Sequence, residues 1–446
     1  MQNYLFRNIH IVNEGEIIAG DVYIREGRIE RIGSSLNIKS NYSEIDGTGK
    51  HLLPGVIDDQ VHFREPGLTH KASIYSESRA AVAGGITSFM EMPNTLPNTL
   101  TQDLLEEKYA IASRSSLANY SFYMGVSNDN VEEVLKTNRK KNDVCGIKIF
   151  MGSSTGNMLV NNHSTLNRIF ADSEMLIATH CEDERIIRAN YEKLKAAKPE
   201  LSPADHPLIR NEEACYESSL LAIQFAMRHQ SRLHILHIST EKELQLFSNM
   251  LPLKEKRITS EVCVHHLHFS SDDYDSLGYK IKCNPAIKHP KNKTALWQAL
   301  NDDILDVIAT DHAPHLPEEK EPPYEHAHAG LPLVQHSLIL MLDHVQKGHL
   351  SLETLVRKMS HAVAECFMIK DRGYIREGYH ADLVVVNMNN STEIKKENLL
   401  YKCGWSPLEG FIAGARIEKT LVNGALVYEN DRLIESQLGQ HLTFNR

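Results

Sequence analysis

The sequence predicts an α/β protein, a (β/α)8 TIM-like barrel with a small β-sandwich built from the N- and C-terminal segments. Between residue 52 and about residue 315, short apolar runs alternate with polar stretches of helical spacing, which is typical of a parallel α/β fold. Eight apolar runs can be counted, and eight strands close a barrel. The flanking residues alternate in a β-like pattern around turns instead.

The apolar runs are the predicted barrel strands, because strands buried on both faces read as continuous hydrophobic segments. They are expected at residues 53–62, 85–93, 120–126, 146–151, 175–180, 233–238, 258–265 and 305–311. Outer helices are predicted where apolar residues recur three and four positions apart. These are residues 73–83, 104–115, 182–197, 212–228 and 291–300, and residues 329–370 are expected to form the last barrel helices.

The two ends of the chain are predicted to pair into one small domain. Residues 4–50 and 374–428 both alternate around turns, but neither half has enough strands to be stable alone. We therefore predict that residues 1–52 form the first part of a β-sandwich and that residues 53–370 form the barrel. Residues 371–446 would complete the sandwich and add a C-terminal tail.

Composition limits the classes of partner. The chain has 446 residues, of which 58 are acidic and 48 basic, a formal net charge of −10, and scattered Lys and Arg argue against binding a phosphate backbone. Its seven cysteines form no Cys-x-x-Cys pair, as expected for reduced thiols. No stretch resembles a signal peptide or a membrane span. We expect a cytoplasmic protein with a small-molecule substrate and no nucleic acid or membrane partner; a homodimer is left open.

Polar residues stand at the carboxyl end of almost every predicted strand. Barrel enzymes assemble their active sites from those ends, so chance placement does not explain the pattern. In strand order the residues are His62 and Arg64, Asn94, Lys148, His180, His237, His265 and His266, and Asp311.

Four of these residues suit a metal ion. His62, His180, His237 and Asp311 offer imidazole nitrogens and a carboxylate, which are ligands for a borderline divalent cation such as zinc. Each could be structural alone, and their convergence favours a metal. Asp311 beside metal-bound water is also placed to take a proton as the catalytic residue. His315, four residues later, is expected to face the same pocket.

Lys148 lies inside an apolar run, where a bare ammonium is costly to desolvate. A neutral buried amine that has reacted with carbon dioxide would give a carbamate whose two oxygens could bridge two metal ions. The alternative is a lysine that reaches solvent from the strand end or pairs with an acid.

Gln60 stands two residues before His62, where a His-x-His pair would hold one metal from a single strand. An amide oxygen is a weaker ligand for zinc than imidazole, so one of two metal positions is expected to be under-coordinated. Asp58 is expected to point the same way, because side chains alternate along a strand. A second His-x-His pair, His326 and His328, lies in a proline-rich loop, and residues 316–330 are our candidate for a lid.

Arranged in this way, the chain resembles the dihydroorotases of the amidohydrolase superfamily from residue 4 to about residue 428. The shared markers are residues 54–58, 62–67, 92–95, 146–148, 180–183, 237–240, 282–285 and 309–315. The resemblance implies a barrel with a composite β-sandwich and one or two zinc ions. It implies metal ligation by His62, carboxylated Lys148, His180, His237 and Asp311, and substrate binding by Arg64, Asn94, Asn284 and His315.

The resemblance also implies reversible hydrolysis of the cyclic amide of (S)-dihydroorotate to N-carbamoyl-L-aspartate in de novo pyrimidine biosynthesis. In this hypothesis a metal-activated hydroxide attacks the ring carbonyl, and Asp311 acts as general acid and base. Arg64 supports a substrate with a free carboxylate, because guanidinium binds carboxylate bidentately. One alternative is another cyclic amidase, an allantoinase or hydantoinase. The other, supported only by Gln60, is a catalytically silent structural partner of aspartate transcarbamoylase.

Overall fold

Two sheets contain almost all strands of the described chain. The computed structural model describes residues 2–152, 157–435 and 437–446. The strands are β1 (Tyr4–Asn13), β2 (Glu16–Arg25), β3 (Arg28–Gly33), β4 (Ser43–Asp46), β5 (His51–Pro54), β6 (Val56–Val61), β7 (Ile86–Glu91), β8 (Asn119–Gly125), β9 (Gly146–Phe150), β10 (Leu176–His180), β11 (Arg232–Ile235), β12 (Ile258–Cys263), β13 (Val307–Ala309), β14 (Leu383–Asn387), β15 (Thr392–Glu393), β16 (Ile412–Ala413), β17 (Arg416–Val422), β18 (Ala425–Glu429) and β19 (Arg432–Leu433).

Strands β6 to β13 form the parallel barrel, which confirms the predicted fold class. They are neighbours in chain order in one eight-stranded sheet. The seam between the last and first strands closes where Val61 pairs with His312 and the His62 N–H donates to the His312 carbonyl at 2.7 Å. All strand carboxyl ends therefore meet at one rim of the barrel.

The first predicted run is divided at Gly55. Strand β5 ends at Pro54 and belongs to the terminal sheet, whereas β6 begins at Val56 and belongs to the barrel. A Cβ atom at Gly55 would collide with the Thr87 side chain, so only glycine lets the chain pass so close to β7. Hydrophobicity continues through this residue, and for that reason the sequence pattern shows one run instead of two strands.

Helices surround the barrel, and the five that were predicted with their own bounds begin and end within two residues of those bounds. Their first turns are capped by Ser73, Thr101, Asp183 and Asn211, whose side chains accept backbone N–H groups that have no partner inside the helix. The helices are α1 (Ile74–Ala83), α2 (Gln102–Ser115), α3 (Val131–Leu135), α4 (His163–Asp172), α5 (Glu184–Ala197), α6 (His206–Ile209), α7 (Glu212–His229), α8 (Val264–His268), α9 (Tyr274–Leu277), α10 (Pro290–Asn301), α11 (Ser337–Gln346), α12 (Leu352–Val356) and α13 (Ala362–Phe367).

The second sheet joins the two chain ends, as predicted. Strand β5 pairs with β1 from the N-terminal part and with β14 from the C-terminal part. The resulting sheet has nine hydrogen-bonded strands. Its own core includes Phe6, Val22, Ile24, Leu383 and Leu421. Both halves contribute to that core, so neither forms it alone.

Cysteine chemistry and membrane spans can also be compared with the structure. All seven cysteines are free and buried, in agreement with the expectation of reduced thiols. Among the helices of the described residues, none is both long enough and apolar enough to cross a bilayer.

The last ten residues pack against the barrel at the end opposite the strand carboxyl termini. His441 pairs with Tyr120 at the start of β8, and Leu442 and Phe444 are buried. The Arg446 guanidinium donates to backbone carbonyls, including that of Val144 at 3.0 Å. This tail therefore covers apolar surface at the bottom of the barrel.

We expect Leu442→Ala to destabilise the protein by about 2–4 kcal/mol, because it leaves a cavity in a packed core. Leu442 is 0% exposed, whereas Leu438 in the same tail is 40% exposed. Chemical denaturation of both alanine variants measures the difference. Equal stability losses would show that the tail is not part of the barrel core.

Candidate active site

A cavity of about 300 Å³ opens at the rim formed by the strand carboxyl ends. All nine residues that the sequence suggested as metal, substrate or catalytic residues line it. They are His62, Arg64, Asn94, Lys148, His180, His237, Asn284, Asp311 and His315. The structure therefore brings the whole predicted set together, and the roles of its members stay predictions.

A larger cavity, of about 500 Å³, lies beside the segments that lead into β12 and β13. Its basic side chains are already neutralised: Lys256 pairs with Asp306, and Arg357 pairs with Asp303. Size alone therefore does not identify the functional cavity. The smaller one contains a buried amine, Lys148 Nζ, that has no hydrogen-bond partner among the described residues.

His62 and Asp311 meet across the barrel seam. The Nε2 atom of His62 lies 3.1 Å from Asp311 Oδ1, and its Nδ1 atom lies 2.7 Å from Asn94 Oδ1. Because the amide oxygen accepts the Nδ1–H, the Nε2 lone pair of a neutral ring faces the carboxylate. Burial lowers the pKa of His62, which favours that neutral ring. This is the arrangement of a metal ligand held by an outer partner.

His180 and His237 form a second pair of facing nitrogens. His180 Nδ1 lies 3.0 Å from His237 Nε2, and His180 Nε2 lies 2.9 Å from Glu182 Oε2. Arg210 donates to the same Glu182 oxygen at 2.6 Å. Burial opposes ionisation of Glu182, but Arg210 and His180 lower its pKa to about 2. The Glu182 anion therefore accepts the Nε2–H and turns the Nδ1 lone pair towards His237.

Lys148 is the least compensated group in the cavity. Its side chain is 1% exposed, its Nζ atom has no hydrogen-bond partner among the described residues, and it lies 4.6 Å from the centre of the Phe150 ring. Burial lowers the pKa of Lys148 to about 7. An unpartnered amine beside imidazole nitrogens and a carboxylate fits the donor set of a divalent metal centre, with the amine as the precursor of a carbamate.

The same cavity contains a basic group. Arg64 donates through Nε to the Pro314 carbonyl at 3.1 Å, and its NH2 atom lies 3.0 Å from His315 Nε2. Lys71 contacts His315 Nδ1 at 3.2 Å and pairs with Glu319 at 2.6 Å. Desolvation lowers the pKa of Arg64 to about 10, so the guanidinium is still charged. Within the described residues, no carboxylate forms an ion pair with it.

The segment proposed as a lid forms one wall of the cavity. His328 lines the cavity and stacks on His315, with ring centres 4.7 Å apart. The buried Lys320 ammonium donates to the carbonyls of Lys282, His328 and Gly330 at 2.8–2.9 Å. These bonds hold the segment against the barrel in this structure.

One sequence expectation differs from the structure. Asp58 does not line the cavity but accepts the Thr310 hydroxyl at 2.6 Å, because pairing between β6 and β7 shifts register after Asp58 and breaks the alternation of side chains. For His265 and His266 the sequence favours packing over a role in the pocket, and both are buried in α8 and do not line the cavity.

Sequence reasoning missed Glu182 and Arg210. Glu182 follows His180 by two positions, which was an available signal for an outer-shell acid. Arg210 follows the short helix α6 and reaches the cavity through tertiary packing, for which the sequence pattern gave no signal.

Three residues at this rim have a strained backbone. Arg64, His237 and Asp311 have φ angles of 69°, 44° and 48°, in the left-handed region that non-glycine residues seldom occupy. Such residues cluster at functional sites, where the surrounding structure holds them in place. The three side chains aimed into the cavity are therefore positioned at a conformational cost.

The model of the Amidohydrolase family matches residues 51–427, which include the barrel and every residue of the site. The chain belongs to the amidohydrolase family. This amidohydrolase is 34% identical to a dihydroorotase of Methanosarcina acetivorans, over 97% of this chain and 93% of that protein. It is 32% identical to a dihydroorotase of Pyrococcus furiosus, over 95% of this chain and 92% of the relative.

Solved structures support the same fold. The L-hydantoinase (dihydropyrimidinase) from Arthrobacter aurescens superimposes with a TM-score of 0.92 at 26% identity, covering 99% of this amidohydrolase and 100% of that chain. A dihydropyrimidinase from Brevibacillus agri has a TM-score of 0.89 at 24% identity, covering 100% of both chains. The relatives found by sequence and those found by structure share one general activity, that of a cyclic amidohydrolase.

We expect the metal-free protein to form a carbamate at Lys148, because only a neutral amine reacts with carbon dioxide. Since the pKa of Lys148 is lowered to about 7, its neutral fraction increases as the pH rises through that value. Carbon-13 NMR with labelled bicarbonate should show a carbamate signal that grows between about pH 6 and about pH 8.

The Lys148→Met variant is the control and should lose this signal. Lys108 is equally buried but pairs with Glu91, so it should not contribute. A signal that survives in Lys148→Met would contradict the assignment.

Proposed function

We propose that this amidohydrolase is a dihydroorotase, which interconverts dihydroorotate and N-carbamoyl-L-aspartate in pyrimidine biosynthesis. The relatives by sequence that carry this name support the proposal. The observation that carries it is Arg64, a cation in the cavity that has no acidic partner among the described residues. Dihydroorotate has a free carboxylate that would neutralise this cation, whereas a simple hydantoin does not.

Arg64 is prepared to bind a carboxylate. Its Nε and NH2 atoms are held by the Pro314 carbonyl and by His315, so the planar fork is fixed before substrate arrives. A fixed guanidinium loses little rotamer entropy on binding. Charge-assisted hydrogen bonds from a desolvated cation are about twice as strong as neutral ones. We therefore assign the carboxylate subsite to Arg64, with Asn94, Asn284 and His315 as its polar neighbours.

The other residues of the cavity suit a metal-assisted hydrolysis. His62, Lys148 as a carbamate, His180, His237 and Asp311 would hold one or two zinc ions, which supply Lewis-acid activation of water and of the ring carbonyl. Glu182 and Asn94 fix the two histidine tautomers that point lone pairs inward. Arg210 keeps Glu182 ionised and so preserves that tautomer at His180.

Asp311 is the proposed proton carrier. Its Oδ1 atom accepts from Gln60 Nε2 at 3.0 Å and faces His62 Nε2, which holds the carboxylate at the cavity floor. From there it would take the proton of the attacking water and pass it to the departing ring nitrogen. In ring closure the same carboxylate would move the proton in the opposite direction.

Replacing Arg64 with Met should lower kcat/KM for dihydroorotate by about 10²–10³-fold, mainly through KM, because a buried charge-assisted pair contributes about 2–5 kcal/mol. Activity on hydantoin, which has no carboxylate, should not fall in parallel. Steady-state kinetics on both substrates distinguishes a loss of carboxylate binding from a general loss of activity.

Arg185→Met is the control, because the Arg185 side chain is 91% exposed and lies outside the cavity. If the wild type prefers hydantoin and Arg64→Met leaves kcat/KM unchanged for both substrates, the chain is a different cyclic amidase.

Asp311→Asn should lower kcat by about 10³-fold, since the amide cannot accept the proton. Metal content and melting temperature are measured on the same sample to separate proton transfer from ligand loss. The exposed Asp272→Asn should keep full activity. Wild-type turnover by a metal-replete Asp311→Asn variant would exclude this role.

A further inference from the structure

Beneath the active-site cavity, three polar side chains face one another inside the barrel. Asp59, His234 and Glu261 come from β6, β11 and β12, and each is 0% exposed. His234 Nε2 lies 3.1 Å from Asp59 Oδ2 and 3.8 Å from Glu261 Oε2. None of the three lines the cavity, so the proposed hydrolysis does not account for them.

The facing atoms lack hydrogen-bond partners. Neither contact of His234 Nε2 has hydrogen-bond geometry, and within the described chain this atom, both Asp59 carboxylate oxygens and Glu261 Oε2 are unpaired. The other polar side-chain atoms of Glu261 and His234 do have partners. Glu261 Oε1 accepts the His237 N–H at 2.9 Å, and His234 Nδ1 lies 2.7 Å from Thr259 Oγ1.

Thr259 fixes the tautomer of His234. Its hydroxyl donates to the Leu233 carbonyl at 3.3 Å, so Oγ1 is free to accept the Nδ1–H of His234. The Nε2 atom of the neutral ring then carries a lone pair directed at carboxylate oxygens. A ring nitrogen held by an outer hydrogen bond, with its other nitrogen facing acids, is the usual arrangement of a metal-bound histidine.

Charge gives an independent reason for a cation. No Lys or Arg of the described residues forms an ion pair with Asp59 or Glu261; His234 is the partner of both. Two carboxylates that share a single histidine in a barrel interior are unfavourable, because buried charges must be paired or coordinate a metal.

We propose that Asp59, His234 and Glu261 bind a divalent transition-metal cation of the zinc type. The site lies in the barrel interior and is separate from the catalytic cavity. The two measured separations bracket the ~3.3 Å between ligand atoms that tetrahedral zinc gives at bonds of about 2.0–2.1 Å. Since all three ligands are fully buried, the cation enters during folding. It clamps three barrel strands, and this role does not depend on which substrate the enzyme hydrolyses.

The competing state has a proton instead of a metal. Burial lowers the pKa of His234, but Asp59 and Glu261 more than reverse this and raise it to about 9. A protonated His234 would neutralise one carboxylate without any ion. The two states differ in electron density and in metal content, so experiment can separate them.

Anomalous diffraction at the zinc edge tests the site in crystals of the full chain grown with zinc and without chelator. We expect a peak enclosed by Asp59, His234 and Glu261, distinct from any peak beside His180 and His237. A structure with no anomalous peak between the three side chains overturns the proposal, whether or not the catalytic position is filled. This test does not depend on enzyme activity.

Metal content of variants provides the second test. Asp59→Asn and His234→Gln should each lose one equivalent of zinc per chain relative to wild type, measured by mass spectrometry of digested protein. The matched control is Asp58→Asn, the neighbouring buried acid that binds Thr310 instead, which should keep the wild-type content. Unchanged zinc in both cluster variants refutes the site. If neither variant folds, the wild-type diffraction experiment decides.

Discussion

Closure of the barrel between β6 and β13 is the constraint on which the site depends. Strand β13 has only three residues, so much of the seam consists of other bonds, among them the Thr310 hydroxyl on Asp58 at 2.6 Å. His312 links the seam to the outer helices, because its Nε2 atom lies 2.9 Å from Glu77 Oε2 on α1. His62 and Asp311 are 249 positions apart in the chain. Their 3.1 Å contact therefore exists only while the seam is closed.

The sequence was sufficient for the barrel and for most of the site because both follow from periodicity. Buried parallel strands appear as apolar runs, and their carboxyl ends share one rim, so most of the nine residues could be assigned to one cavity. Asn284 was suggested only by the family resemblance. Asp58 was placed on the wrong side because a register shift changes the alternation without leaving a hydrophobic signal. Arg210 was missed because a loop residue is positioned by packing, which no periodic pattern records.

Gln60 acquires a different physical meaning in the structure. The sequence suggested a weak metal ligand, whereas its Nε2 atom donates to Asp311 Oδ1 at 3.0 Å. An imidazole lone pair at this position would need a cation between itself and the carboxylate, but an amide N–H stabilises the anion directly. The next residue back, Asp59, places its carboxylate in the barrel interior. Strand β6 therefore presents a neutral donor to the cavity and an anion to the interior.

The interior also supports the strained rim. His237 has a φ of 44°, a conformation that costs about 1–3 kcal/mol and persists only because surrounding bonds hold it. Its N–H is held by Glu261 Oε1, while Oε2 of the same carboxylate faces His234 at 3.8 Å. Movement of Glu261 towards His234 would release the His237 N–H from Glu261 Oε1. Whatever neutralises the interior carboxylates therefore also fixes the geometry of the site above them.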